Sequence, residues 1–211
     1  MQLYSDSFQH GQRIPGEFAF AVPAKVGHIA LSSNRNPHLA WRDPPPGTRS
    51  FALLCHDPDA PACADDVNQE GRELPADLPR ADFYHWVLLD IPGDCRGIAA
   101  GSHSDGVTAR GKPGPESVGG GRHGLNDYSL WFAGDADMDG RYYGYDGPCP
   151  PWNDAREHRY VFTLYALDVA RLAVDGELTP SAALSALRGH VLEQAELMGR
   201  YALSPAILAT S

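Results

Sequence analysis

The sequence is short of positive charge. Its 211 residues carry 17 lysines and arginines against 27 aspartates and glutamates, which gives a formal net charge of −10. Nucleic acids and anionic membranes attract positively charged surfaces, so this balance argues against broad binding to either of them. An anionic ligand would therefore have to be held by a local pocket.

Long apolar runs, paired cysteines and common catalytic motifs are also lacking. No apolar stretch is long enough to span a bilayer and the start, MQLYSDSFQH, has no basic leader, so we expect a cytoplasmic protein without an integral membrane segment. None of the four cysteines belongs to a CxxC pair, which indicates neither a disulfide framework nor a zinc site. There is no GxSxG motif and no phosphate-binding P-loop. We expect neither a cofactor nor a metal ion.

Glycine and proline, by contrast, are abundant. The 22 glycines and 18 prolines separate short apolar runs, a pattern typical of a mainly β chain with long loops. The length predicts a single domain over residues 1–211. The polar stretches 62–82 and 101–139 predict long loops. Three runs are apolar on both alternating faces and predict strands in the middle of a covered sheet, namely residues 51–57, 83–91 and 159–167.

One segment, residues 179–199, predicts a helix. Thr179 is a candidate N-cap, Pro180 suits the first turn and Gly199 suits the end. The apolar residues that would form one packing stripe at helical spacing are Leu184, Leu187, Val191, Ala195 and Met198.

The acidic stretch GDADMDGRYYGYDGPCPPWND, residues 134–154, has the spacing of an EF-hand calcium loop. Counted from Asp135, the twelfth position is Asp146 instead of the usual glutamate. The prolines that follow exclude an exit helix, and the preceding segment 127–132 looks strand-like. We therefore interpret the stretch as turns, Asx turns in particular. A weak cation site at Asp135, Asp137 and Asp139 is the alternative.

Polar residues stand at the ends of the three predicted strands. The first strand runs into Asp57 and Asp59, the second begins near His85, and the third begins near His158. If these strands are neighbours, a carboxylate and two imidazoles would meet above an apolar floor. A carboxylate favours the protonated form of a nearby histidine, and protonated histidine attracts phosphate and carboxylate groups. Gly147 would let backbone N–H groups approach the same place.

Strand alternation predicts which way the two histidines face. With a period of two, His85 shares a face with Val87 and Leu89, and His158 shares a face with Tyr160 and Phe162.

At these residues the chain resembles the phosphatidylethanolamine-binding protein family, also called the Raf kinase inhibitor protein family, in its bacterial Raf-kinase-inhibitor-like branch. The matching pieces are NPHLAW (36–41), PGTRS (46–50), DPDAP (57–61), HWVLLDIP (85–92), GPCPP (147–151) and HRYVFTLYAL (158–167). The resemblance implies a β-sandwich of two antiparallel sheets with peripheral helices, long loops and an anion pocket. The ligand-binding residues that it implies are Asp57, Asp59, Pro61, His85, Gly147, Pro151, His158 and Tyr160.

These observations together predict non-catalytic binding of a small anionic ligand that bears phosphate, such as phosphoethanolamine. His85 and His158 would supply positive charge and hydrogen-bond donors. The resemblance also implies a protein partner of unknown identity and a homodimer. Two alternatives stay open: a closed network of Asp57 and the two histidines without a ligand, and a hydrolase that uses the same pocket with Cys149 nearby.

Overall fold

The structure, a computed structural model, describes residues 1–209, and β-strands dominate that part of the chain. The described strands are β1 (Gln2–Tyr4), β2 (Ala21–Pro23), β3 (Ile29–Leu31), β4 (Leu39–Arg42), β5 (Ser50–Pro61), β6 (Arg80–Pro92), β7 (Gly97–Ile98), β8 (Gly111–Lys112), β9 (Arg122–His123), β10 (Arg141–Tyr142), β11 (His158–Leu167) and β12 (Val191–Tyr201). The described α-helices are α1 (Tyr128–Trp131), α2 (Pro180–Leu187) and α3 (Pro205–Leu208). None of them is long and apolar enough to cross a membrane.

The main sheet has five antiparallel strands in the order β12-β11-β5-β6-β9. The three strands predicted from sequence are its centre, with β5 between β11 and β6. One face packs on the three-stranded antiparallel sheet β1-β4-β7 through a core that includes Leu3, Trp41 and Phe51. The other face carries Leu54 and Leu89 against α2 and the segment before it. The predicted β-sandwich is confirmed.

The strand register brings the polar ends of three strands together. Val161 of β11 lies opposite His56 of β5, and Asp57 of β5 lies opposite Phe83 of β6. The end of β5 and the beginnings of β6 and β11 therefore meet at one end of the sheet. Asp57 lies on the central strand of the three.

The helix predicted over residues 179–199 is wrong in its second half. Its start is confirmed, since Thr179 accepts a hydrogen bond from the backbone N–H of Ala182 at 3.2 Å. The helix ends at Leu187, however, and β12 follows from Val191, paired along its length with β11. Gly189 has a φ of +82°, a left-handed turn that ends the helix. Residues 191–199 have apolar spacing that fits a helix, but their pairing with β11 makes them a strand.

Two smaller expectations also need correction. Residues 128–131, interpreted as part of a strand-like segment, form the short helix α1. The loop predicted over residues 62–82 stops at Arg80, where β6 begins. This loop packs on the segment before β11, because the backbone N–H of Leu74 donates to the carbonyl of Asn153 at 2.9 Å.

Candidate functional site

His158 lies between two carboxylates and is fully buried, with 0% of its side chain exposed. Its Nδ1–H donates to Asp57 Oδ2 at 2.7 Å, and its Nε2–H donates to Asp154 Oδ2 at 3.0 Å. Burial alone would lower the pKa of His158, but the two carboxylates outweigh it and raise the pKa to about 9. His158 is therefore an imidazolium at neutral pH.

This geometry corrects part of the prediction. His158 does carry positive charge, but both of its N–H groups are bound to carboxylates of the protein. They are not available as donors to a ligand. Asp57 is similarly occupied, because its other oxygen accepts the backbone N–H of Asp59 at 2.8 Å.

Asp154 is a member of this network that sequence reasoning missed. Its carboxylate pairs with both terminal nitrogens of Arg80, a side chain that is itself almost fully buried. Burial would raise the pKa of Asp154, but hydrogen bonds from His158 and Arg80 lower it. Asp154 lies four residues before His158, on a turn in which its N–H donates to the carbonyl of Pro151 at 3.2 Å. Pro151, one of the ligand-binding residues that the resemblance implies, thus helps to position a carboxylate.

His85 faces the opposite way from the prediction. Cys55 pairs with Trp86 while His56 pairs with Tyr84, so His85 is an extra residue on β6, that is, a β-bulge. Its ring contacts Tyr160 and Tyr128, with centroid distances of 5.1 and 5.5 Å. Both tyrosines belong to the core that holds Trp86, not to the one that holds Val87 and Leu89. Tyr160 and Phe162, the residues predicted to share a face with His158, lie together in the core that holds Trp86.

The bulge places His85 where the protein fixes its tautomer. Its Nδ1–H donates to the backbone carbonyl of Asp146 at 2.8 Å. Burial lowers the pKa of His85, against the opposing influence of Asp57 and Asp146. The neutral ring then presents Nε2 as a hydrogen-bond acceptor, and this atom has no hydrogen-bond partner among the described residues.

Asp146 supports His85 from a second buried network. Its carboxylate accepts hydrogen bonds from Asn34 Nδ2 at 2.8 Å and Asn126 Nδ2 at 2.7 Å, and it pairs with Lys112 Nζ at 3.0 Å. Burial lowers the pKa of Lys112, and Asp146 partly opposes this. Nothing in the local sequence indicates this role for Asp146, the twelfth position of the apparent calcium loop.

Gly147 follows Asp146 and is held against the core. Its N–H donates to Asn34 Oδ1 at 2.7 Å, so it is already used within the protein. A Cβ at this position would overlap the carbonyl oxygen of Phe18 and lie 2.9 Å from the Cα of Ala19.

We expect Gly147→Ala to lower the free energy of unfolding by about 1–3 kcal/mol, because overpacking against rigid backbone forces a local shift. Urea denaturation of the two proteins measures the difference. An unchanged midpoint would show that the backbone around Phe18 can move aside without cost.

Tyr160 has a buried hydroxyl without a partner. The side chain is 1% exposed, and its oxygen makes no hydrogen bond of normal length to a described residue, although the Asp57 carboxylate lies close enough to interact with the hydroxyl. Burial and then the charge of Asp57 raise its pKa well above the ordinary value, so it stays a neutral phenol. Next to it, Tyr128 and Phe83 enclose the ring of His85. We call His85, Tyr160, Tyr128 and Phe83 the candidate pocket.

Cys149 lies close to Tyr128 and Tyr160. Burial raises the pKa of the Cys149 thiol to about 12. A thiol in this state is a poor nucleophile at neutral pH.

The remaining predicted residues lie outside the candidate pocket. Asp59 is buried two residues beyond Asp57 and is bound to Arg159 by side-chain hydrogen bonds of 2.7 and 2.9 Å. Pro61 is the last residue of β5 and lies opposite Arg80.

The acidic loop after α1 forms the turns expected of it. Asp135 Oδ1 accepts the backbone N–H groups of Asp137 and Met138, each at 2.9 Å, and the first of these is an Asx turn. Within residues 1–209, no group of three or more His, Cys, Asp or Glu side chains is arranged to hold a metal ion.

Comparison with known proteins identifies relatives over nearly the whole chain. The family model described as phosphatidylethanolamine-binding protein matches residues 4–202. UPF0098 protein YbhB of Escherichia coli is 31% identical over 175 residues, which are 83% of this chain and 83% of that protein. A UPF0098 protein of Aquifex aeolicus is 30% identical over 201 residues, 95% of this chain and 88% of its own length.

Solved structures agree on the fold. A homologue of phosphatidylethanolamine-binding protein from Chlamydia trachomatis superimposes with a TM-score of 0.60 at 27% identity, covering 95% of each chain. Escherichia coli YbcL, described as a member of the mammalian family of these proteins, gives a TM-score of 0.67 at 23% identity, covering 95% of this chain and 97% of its own. At that identity the second likeness concerns the fold alone.

Proposed function

Because the chain belongs to the phosphatidylethanolamine-binding protein family, we propose that its candidate pocket binds a small anionic ligand that bears a phosphoryl group. The observation that supports this most is the Tyr160 hydroxyl, buried without a partner near the free Nε2 of His85. Leaving a buried hydroxyl unpaired costs about 1–3 kcal/mol, which a ligand oxygen would recover.

The charges around the candidate pocket determine how an anion is accommodated. Ionised groups there cancel in pairs: Asp57 with His158, Asp154 with Arg80, and Asp146 with Lys112. A bound anion therefore has no unpaired cation to meet unless His85 takes up a proton. The anion itself favours that uptake, since a neighbouring negative charge raises the pKa of histidine. Binding should thus be tighter at pH 6 than at pH 8.

The two alternatives have less support. A hydrolase needs an activated nucleophile, whereas burial keeps the Cys149 thiol protonated and Asp57 is already hydrogen-bonded through both oxygens. A closed network without ligand accounts for Asp57 and His158 and brings Asp57 near Tyr160, but it leaves the Tyr160 hydroxyl without a partner at normal hydrogen-bond distance. The same experiment tests this second alternative.

We expect Tyr160→Phe to weaken binding of phosphate or phosphoethanolamine by roughly 10- to 100-fold, the worth of one hydrogen bond to a charged group. The ¹⁵N NMR signals of the histidine rings are monitored while either ligand is added. The signals of His85 should shift, because its Nε2 gains a proton. The His158 signals should change little, because both its N–H groups are occupied.

Tyr4→Phe is the matched control, since Tyr4 is an exposed tyrosine on β1. It should bind as the wild type does. If neither histidine responds to either ligand at pH 6, the closed network is right and the binding proposal fails.

A further inference from the structure

Four arginines gather around the start of β11, on a chain whose net charge is −10. They are Arg13, Arg156, Arg159 and Arg200, with side chains 39%, 40%, 49% and 49% exposed. We call them the arginine cluster. Two carboxylates accompany them, Glu157 and the buried Asp59. The arginine cluster is therefore a region of net positive charge on an acidic protein.

Asp59 holds two of the guanidinium groups in fixed positions. Arg159 Nε and Nη2 donate to its two oxygens at 2.7 and 2.9 Å, and Arg156 Nε lies 3.3 Å from Oδ1. Burial alone would raise the pKa of Asp59, but Arg159 and then Arg156 lower it. A buried carboxylate therefore anchors both arginines by one edge, as expected of groups arranged for recognition.

The opposite edges of these guanidinium groups are free. Arg159 Nη1 and both terminal nitrogens of Arg156 make no hydrogen bond to a described residue. Arg200 lies directly opposite Arg159 on the neighbouring strand. Like charges placed opposite each other in a sheet are destabilising. Asp59 balances the charge of Arg159, whereas Glu157 balances the other two arginines only weakly, at 3.4 Å from Arg200 and 3.9 Å from Arg13.

We infer that the arginine cluster is a second anion site, which takes the phosphoryl group of a ligand or of a phosphorylated partner. Planar guanidinium groups bind phosphate through paired N–H donors, and an anion there would also relieve the repulsion between Arg159 and Arg200. Alternation along β11 puts Arg159 on the face opposite Tyr160. The cluster is thus separate from the candidate pocket and does not depend on the function proposed for it.

The inference is tested by titrating the protein at low salt with inorganic phosphate and, separately, with N-acetyl-phosphoserine amide. Binding is monitored by the NMR signals of the arginine Nε–H groups. We expect Arg156→Gln and Arg200→Gln each to weaken binding at the cluster at least fivefold. Arg171→Gln, which removes an exposed arginine that makes no hydrogen bond or ion pair with residues 1–209, should change binding less than twofold. Thermal melts confirm that each variant is folded.

The outcomes separate the two sites and the two sources of the phosphoryl group. Tyr160→Phe should leave the arginine signals responsive, whatever happens at His85. Equal binding of both probes supports free phosphorylated ligands, and a preference for the phosphoserine compound supports a phosphorylated partner. If neither probe moves the Arg159 signal, or if Arg156→Gln and Arg200→Gln both bind like the wild type, the inference is overturned.

Discussion

Asp57→Asn is expected to lower the free energy of unfolding by about 3–5 kcal/mol, the cost of removing one partner from a buried ion pair. The substitution keeps the shape of the side chain and removes its charge. His158 would then remain buried with Asp154 as its only anionic partner among residues 1–209. The amide can still accept one hydrogen bond, but it cannot stabilise the imidazolium as the carboxylate does.

Asp168→Asn is the matched control. Asp168 also pairs with a histidine, His190, at a similar distance of 2.9 Å, but the two side chains are 46% and 42% exposed. Exposed pairs of this kind contribute about 0–1 kcal/mol. Urea denaturation of the three proteins at pH 7 gives the comparison. If Asp57→Asn costs no more than Asp168→Asn, the buried network does not hold this end of the sheet together.

The contact between Asp57 and His158 was predictable because it depends on strand patterns. Residues 51–57 and 159–167 are apolar on both faces, which places both runs inside one covered sheet. Their polar ends are then brought to the same edge once the strands pair antiparallel. The sequence does not show which residues pair, and the structure supplies this register, with Val161 opposite His56.

The orientation of His85 could not be predicted, because a β-bulge shifts the alternation without a clear mark in the side-chain pattern. The partners of the ionised groups were hidden for a different reason. Arg80 and Asp154 are separated by 74 residues, and no local spacing joins them. The sequence also shows Asp146 only as part of an apparent calcium loop.

The misassigned strand β12 shows the limit of apolar spacing. Leu187, Val191 and Ala195 fit one helical stripe, yet the last two lie in a strand. Gly189 was the signal that could have ended the helix, since glycine just after a helical segment favours the left-handed turn seen here. Long-range pairing with β11 then outweighs local propensity.

The same network predicts that stability falls on the alkaline side of neutrality. The pKa of His158 rises from 6.5 to about 9 on folding, so the folded protein holds a proton that the unfolded chain releases. Its contribution is complete below pH 6.5 and disappears as the pH passes 9. At about 1.4 kcal/mol per pH unit, the loss amounts to about 3 kcal/mol. Buried His85 and His123, whose pKa values are lowered, act in the opposite direction, since their contribution is lost as the pH falls below 6.5.

His158→Gln isolates this contribution from the other titrating groups. The variant should be less stable than the wild type at pH 6, and the gap should narrow by about 3 kcal/mol between pH 6 and pH 9.5, because only the wild type loses the imidazolium. His190→Gln, at an exposed histidine that pairs with Asp168, is the matched control, and its difference from the wild type should stay below about 1 kcal/mol. Urea denaturation at intervals of half a pH unit measures both differences. If the difference in free energy of unfolding between wild type and His158→Gln is the same at every pH, then Asp57 and Asp154 do not hold His158 as a cation. The charge balance around the candidate pocket would then be wrong, and with it the argument that His85 must take up a proton when an anion binds.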